Sequence, residues 1–274
     1  AMVLAMEEVL RADGQPPTDV YLAATCDEEH GGTGAAALAQ SGRRFDAAVV
    51  GEPTGLAVVH LTKGAIRFRI TTHGQAAHSS CPEAGVSAIY AMRRILEAVE
   101  ERLVPALGQR SHPVVGPPKI SVGTIHGGSQ VNVVPAECVI EVDRRLVPGE
   151  KGEQAEAEIL EAFNELRQNG RPLQIDCETT QYYPPFEQDA DSPVVRCAIA
   201  ACESATGRAE MTSAPWASNA GFFAQAGIPS VLIGPGSIDQ AHKKVEFVEL
   251  RQVADAVGLY ARIIRSFERF VRGE

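Results

Sequence analysis

No run of apolar residues in this chain approaches the roughly 18 needed to cross a bilayer as a helix, which excludes a conventional membrane span. The first residues show no basic stretch followed by an apolar core and a cleavage site, so export is not expected. The six cysteines (Cys26, Cys81, Cys138, Cys177, Cys197 and Cys202) have no CxxC spacing. Most lie within apolar segments, where a reduced thiol behaves as a small hydrophobe, and this predicts a reducing compartment, the cytoplasm. Nor is there a basic stripe. The net charge is −10 and the lysines and arginines are scattered among acids, so neither nucleic acid nor a membrane surface is an expected partner.

What is present suits a soluble globular protein. With 274 residues, 45% of them hydrophobic and 22% charged, the chain can build one large domain or two ordinary ones. Met2, Met6, Val9 and Leu10 recur at helical spacing and Gly14 supplies a stop, but no capping residue comes before them, so this helix reads as beginning upstream. Strands are expected near 19–26 and 45–50, with a short alanine-rich helix at 34–40 between them. The pattern then changes to a strand at 64–72, a helix at 84–102, strands at 119–125 and 136–146, a helix at 150–168 and a strand at 173–180. That order, βαββαβ, is ferredoxin-like. Alternation returns with a helix at 192–204, an apolar strand at 228–234 and a final helix at 248–271. The expected fold is therefore α/β: a split, mostly parallel-sheet domain (1–61 and 182–274) with a ferredoxin-like unit (62–181) inserted.

The stretch "TCDEEHGG" crowds three carboxylates and an imidazole behind an apparent strand. In open α/β sheets ligands gather at the carboxyl ends of strands. Glu28 and Glu29, then Glu52 in "GEP", then His242 in "GPGSIDQAH" all fall at such ends. Carboxylates packed together raise one another's pKa, so a stable cluster calls for a cation. Carboxylate oxygen with imidazole nitrogen suits zinc, with cobalt or manganese as substitutes. Neighbouring residues at a strand end point in opposite directions, so Glu29 can ligate a metal while Glu28 takes a proton from activated water. This division of labour is hydrolysis.

Five segments, "DEEHGGTGA", "GEPTGLAVVHLTKGA", "HGQAAHSSCPEAGVSAI", "GGSQVNVVPAECVIEVDRRLVPGE" and "AGIPSVLIGPGSIDQAHKKVEFVEL", occur in the order seen in the zinc amidohydrolases that include acetylornithine deacetylase, succinyl-diaminopimelate desuccinylase and glutamate carboxypeptidase. The sequence resembles that family along essentially its whole length. The resemblance implies two zinc ions per active site in the complete enzyme, with Glu28 as general base, Glu29 and His242 sharing one zinc, and Glu52 on the other. It also implies a homodimer acting on an N-acyl amino acid or a dipeptide-like amide. The split domain would then be the catalytic domain, and the ferredoxin-like insertion resembles the family's lid and dimerisation domain. There His78 is similar to the histidine that reaches a neighbouring subunit's site to steady the oxyanion, Asn132 would lie beside substrate, and Arg145 would pair with its carboxylate.

Each of these has a plainer rival: His78 as a cap for the next helix, Asn132 as a backbone partner in a turn, Arg145 as a surface ion pair with Asp143. Trp216 suits substrate contact and simple packing equally, and His60, His73, His112 and His126 read as strand or loop residues with no partner in view. Two departures from the family are visible. The family's first zinc histidine and its bridging aspartate belong upstream of "AMVLAMEEVL" and are not in this sequence, so the chain reads as an amino-terminally truncated enzyme that would bind metal poorly alone. The competing expectation is a non-catalytic relative serving as a dimerisation or ligand-binding module. The second departure is Asn219 in "SNAG", where the family more often has an acid, which bears on substrate choice.

Overall fold

The computed structural model describes residues 1–168 and 174–273. In chain order its elements are α1 (Met2–Asp13), α2 (Thr33–Ala39), β1 (Ala48–Val50), β2 (Val58–Thr62), β3 (Gly64–His73), α3 (Ala88–Ala98), α4 (Val104–Gly108), β4 (Lys119–Gly127), β5 (Glu137–Leu146), α5 (Gly152–Gln168), β6 (Gln174–Tyr183), β7 (Phe186–Glu187), α6 (Pro193–Thr206), β8 (Met211–Ala214), α7 (Ala220–Gln225), β9 (Ser230–Leu232) and α8 (Leu250–Arg272). The chain divides into two compact units, Ala1–Thr62 with Phe186–Glu274, and Lys63–Pro185.

The first unit is built on a mixed sheet in the order β1-β9-β2-β7, with β8 also beside β2. The β1/β9 and β2/β8 pairs are parallel, and β2 meets β7 and β9 in antiparallel fashion. Helices α1, α6 and α8 pack their small and aliphatic residues (Ala5, Val9, Ala198, Cys202, Leu259) onto Val58, Val231 and Ile233. A smaller cluster, Val59, Phe186, Ala214, Ala220 and Leu232, has the partly buried Trp216 packed against it.

The strand expected at 19–26 does not form. This stretch is irregular and exposed, with Tyr21 61% and Leu22 46% accessible. Its apolar composition suits a strand, but no described strand lies alongside to complete a ladder, and β1 pairs only with β9.

The second unit has the expected βαββαβ order, in a fully antiparallel sheet β4-β5-β3-β6. Alternation along β3 and β5 sends Ile66, Phe68, Ile70, Ile140 and Val142 to one face, where Met92 and Ile95 of α3 and Ile159 and Phe163 of α5 cover them. Ser87 caps α3 by accepting the Tyr90 N–H at 3.3 Å. The single helix expected at 84–102 is instead α3, a π-turn over Val99–Leu103, and α4. Pro105 has no N–H to offer the carbonyl four residues back, and the helix loosens just ahead of it. Leu173, where the last strand of this unit is expected to begin, lies outside the described residues.

Candidate active site

In the first unit the acidic stretch is carried by a tight turn. Asp27 adopts a left-handed conformation (φ 59°), and its carbonyl accepts the N–H groups of His30 (3.0 Å) and Gly32 (2.7 Å). Its carboxylate accepts the Thr33 hydroxyl at 2.6 Å. The result is a 3₁₀ turn, Glu28–His30, in place of the expected strand end. Successive side chains of such a turn diverge by about 120°. Glu28 is half-buried while Glu29 points into solvent, 65% exposed.

Gly32 lets this turn close. At φ +63°, a Cβ there would lie 2.5 Å from Phe222 Cε2 and 2.8 Å from Asn219 Oδ1. Asn219 is 6% exposed and its Oδ1 has no hydrogen-bond partner.

Glu52 follows β1, in a loop laced to the "GPGS" loop after β9. Gly234 donates its N–H to Thr54 Oγ1 (3.2 Å), and Leu56 donates to the Gly234 carbonyl (3.0 Å). A Cβ at Gly234 would be 2.5 Å from the Glu52 carbonyl oxygen, so only glycine permits this approach. His242, also left-handed at φ 61°, brings Nε2 to 3.8 Å from Glu29 Oε1.

The electrostatics tie the group together. Burial, then the charges of Glu28 and Glu29, push the Glu52 carboxyl up to about 7. Burial and the neighbouring Glu29 raise Glu28 as well, with His242 pulling the opposite way. Glu28 and Glu52 thus each feel the charge of Glu29, which has His242 beside it. Among the described residues, however, no set of three or more His, Cys, Asp or Glu side chains is placed to hold a metal ion.

In the ferredoxin-like unit, His78 and Asn132 are neighbours. His78 forms a bridge with Val133, and the Ser79 N–H donates to the Asn132 carbonyl at 3.0 Å. Both side chains are exposed. Arg145 is half-buried, its Nε 2.6 Å from Asp143 Oδ1, while Asp143 Oδ2 holds Arg67 Nε at 3.2 Å. The expected ion pair of Arg145 therefore exists, made through Nε of the guanidinium.

The sequence did not reveal the partners of several histidines. His60 Nδ1 meets the Gln188 carbonyl at 2.8 Å, His73 Nε2 meets Asp176 at 2.8 Å, and His112 Nδ1 accepts the Val114 N–H at 3.3 Å. It also gave no hint of the lacing between Thr54 and Gly234. A threonine two residues past the acid of "GEPT" was the available signal.

A family model described as a peptidase dimerisation domain matches residues 61–171. Acetylornithine deacetylase of Myxococcus xanthus is 30% identical over 267 residues, covering 96% of this chain and 68% of that enzyme. The chain belongs to the M20 family of peptidases and deacetylases. A second M20 relative, acetylornithine deacetylase of Vibrio cholerae, is 29% identical over 253 residues, 90% of this chain and 65% of its own length. The chain thus spans about two thirds of the curated M20 relatives it matches. Among solved structures, human carnosine dipeptidase 1 superposes with a TM-score of 0.74 at 15% identity, over 98% of this chain and 71% of that one. For aminopeptidase PepT of Bacillus cereus the TM-score is 0.67 at 23% identity, over 88% and 62%. These two likenesses establish the shared M20 fold.

Proposed function

We propose that the complete protein is a zinc-dependent amidohydrolase that removes the acyl group from an N-acyl amino acid or cleaves a dipeptide-like amide, as a cytoplasmic homodimer. The observation that carries this reading is the upward shift of the Glu28 and Glu52 carboxyls by burial and neighbouring negative charge, with His242 3.8 Å from Glu29. An acidic group this unfavourable in isolation is what a divalent cation relieves, and its mixed oxygen and nitrogen donors fit zinc, cobalt or manganese. Glu29 and His242 would hold one ion and Glu52 the other. When bound, the metal supplies a Lewis acid for the amide carbonyl and lowers the pKa of water.

The remaining steps belong to side chains of this chain. Glu28, half-buried beside the ligating acid, takes a proton from the attacking water and returns it to the leaving amine nitrogen. His78, serving a partner subunit's site, donates a hydrogen bond to the oxyanion as it develops. Arg145 offers the planar edge of its guanidinium to the substrate carboxylate, and Asn132 lies beside the substrate. The dimerisation-domain match supports the homodimer. The six unpaired thiols support a reducing compartment.

The test is a screen of the zinc-loaded full-length protein against N-acetyl and N-succinyl amino acids and dipeptides, with Glu28→Ala alongside. Turnover of at least one class is expected, with kcat about 10²- to 10⁴-fold lower in the variant. No turnover anywhere, or an unaffected variant, contradicts the proposal.

A further inference from the structure

His78 is held in a way that decides which of its ring nitrogens carries the proton. The backbone N–H of Ser80 donates to His78 Nδ1 at 3.2 Å. A backbone N–H can only donate, so Nδ1 must present its lone pair, and in the neutral ring the proton belongs to Nε2. The Ser80 hydroxyl lies 2.7 Å from the same nitrogen and, with Nδ1 already an acceptor, donates to it as well.

The backbone around this arrangement is fixed at several points. The Cys81 N–H donates to the His78 carbonyl (3.0 Å), Ser79 to Asn132 (3.0 Å) and Val134 to Ala77 (2.8 Å). The ring therefore braces its own loop through Nδ1, and Nε2–H has no partner among the described residues. His78 does not cap the next helix as expected: Ser87 caps α3.

We propose that Ser80 is a positioning residue: it locks His78 as the Nε2–H tautomer, so that His78 meets the substrate as a hydrogen-bond donor and not as a base. The lock follows from the geometry alone, and its catalytic consequence rests on the reading of His78 as the oxyanion donor. A donor to a developing oxyanion acts in the transition state, so disturbing its tautomer lowers kcat and leaves KM in place. Ser80→Ala removes the hydroxyl and keeps the N–H. Ser80→Thr keeps both.

The experiment is histidine-selective ¹⁵N NMR, with the His78 signals assigned by their loss in His78→Ala, together with kinetics of the zinc-loaded full-length protein. The unsubstituted protein is expected to show Nε2–H at His78. Ser80→Ala, which keeps the N–H, is expected to retain Nε2–H but to hold the ring less firmly and lower kcat by about fivefold, the worth of one net hydrogen bond, and Ser80→Thr to restore it. Adding Ser80→Ala to His78→Ala is expected to cost nothing further. An Nδ1–H signal in the unsubstituted protein overturns the lock, and full kcat in Ser80→Ala overturns the part given to the hydroxyl. A further loss of kcat in the double variant overturns the positioning role. Full turnover by His78→Ala removes His78 from the oxyanion and with it the catalytic half of the proposal, a result separate from the NMR, which decides the lock by itself.

Discussion

At the scale of single residues, two adjacent glutamates with identical side chains receive different surroundings from one turn of backbone. Glu28 is half-buried and has a raised pKa, while Glu29 is exposed beside His242. The turn depends on Gly32. Gly32→Ala places a methyl group in contact with Phe222 and Asn219 at a left-handed position, and is expected to lower stability by about 1–3 kcal/mol in urea unfolding. An unchanged midpoint would mean that the loop adapts freely. The acids of the candidate site were easy to single out in the sequence because acids and glycines stand in contiguous motifs. The differing orientations of Glu28 and Glu29 were expected from strand alternation, whereas they arise from a 3₁₀ turn.

At the scale of elements, "DRR" shows what alternation can and cannot reveal. Along β5, Arg145 faces outward to Asp143, while Arg144 turns to the covered face and is 1% exposed. There Glu150 meets its Nη2 at 2.7 Å, and Arg110 joins Glu150 (3.0 Å) and Glu158 (2.8 Å). Glu150 also accepts the Val147 N–H at 3.0 Å. Period-two spacing could have identified Arg144 as inward, but its partners lie up to fourteen residues on and in another helix, where no local pattern reaches. Glu150→Ala leaves the buried Arg144 guanidinium only the more distant carboxylate of Glu158, 3.9 Å away, and is expected to cost about 3 kcal/mol. Glu7→Ala, which breaks only the exposed pair with Arg11, is expected to cost under about 0.5 kcal/mol. Equal losses in the two variants would contradict this account of the cluster. The ferredoxin-like elements were legible because each strand and helix has its own periodicity. The stretch at 19–26 was misread because a strand exists only with a neighbour, which composition does not report.

At the scale of the whole molecule, buried thiols link stability to alkaline pH. Burial holds Cys138, Cys197 and Cys202 above the ordinary thiol range and pushes Cys177 up to about 11. In the unfolded chain these thiols ionise near 9. Between those values the unfolded state binds fewer protons than the folded one, so stability is full below about pH 8.5 and falls as pH rises through 11. Cys177 alone contributes roughly 1–2 kcal/mol of that loss once its partial exposure is discounted. Thermal unfolding at pH 8, 9.5 and 11 should show a steady decline that Cys177→Ala reduces, and a flat profile would contradict it.

The central claim is that these acids and one imidazole hold two metal ions in the complete protein. Its most direct measurement is zinc stoichiometry by elemental mass spectrometry on the full-length protein, on Glu52→Ala and on the Glu29→Ala/His242→Ala pair. Two zinc ions per subunit are expected in the unsubstituted protein, and one in each variant. Two ions retained in both variants, or none bound in the unsubstituted protein, would contradict the account.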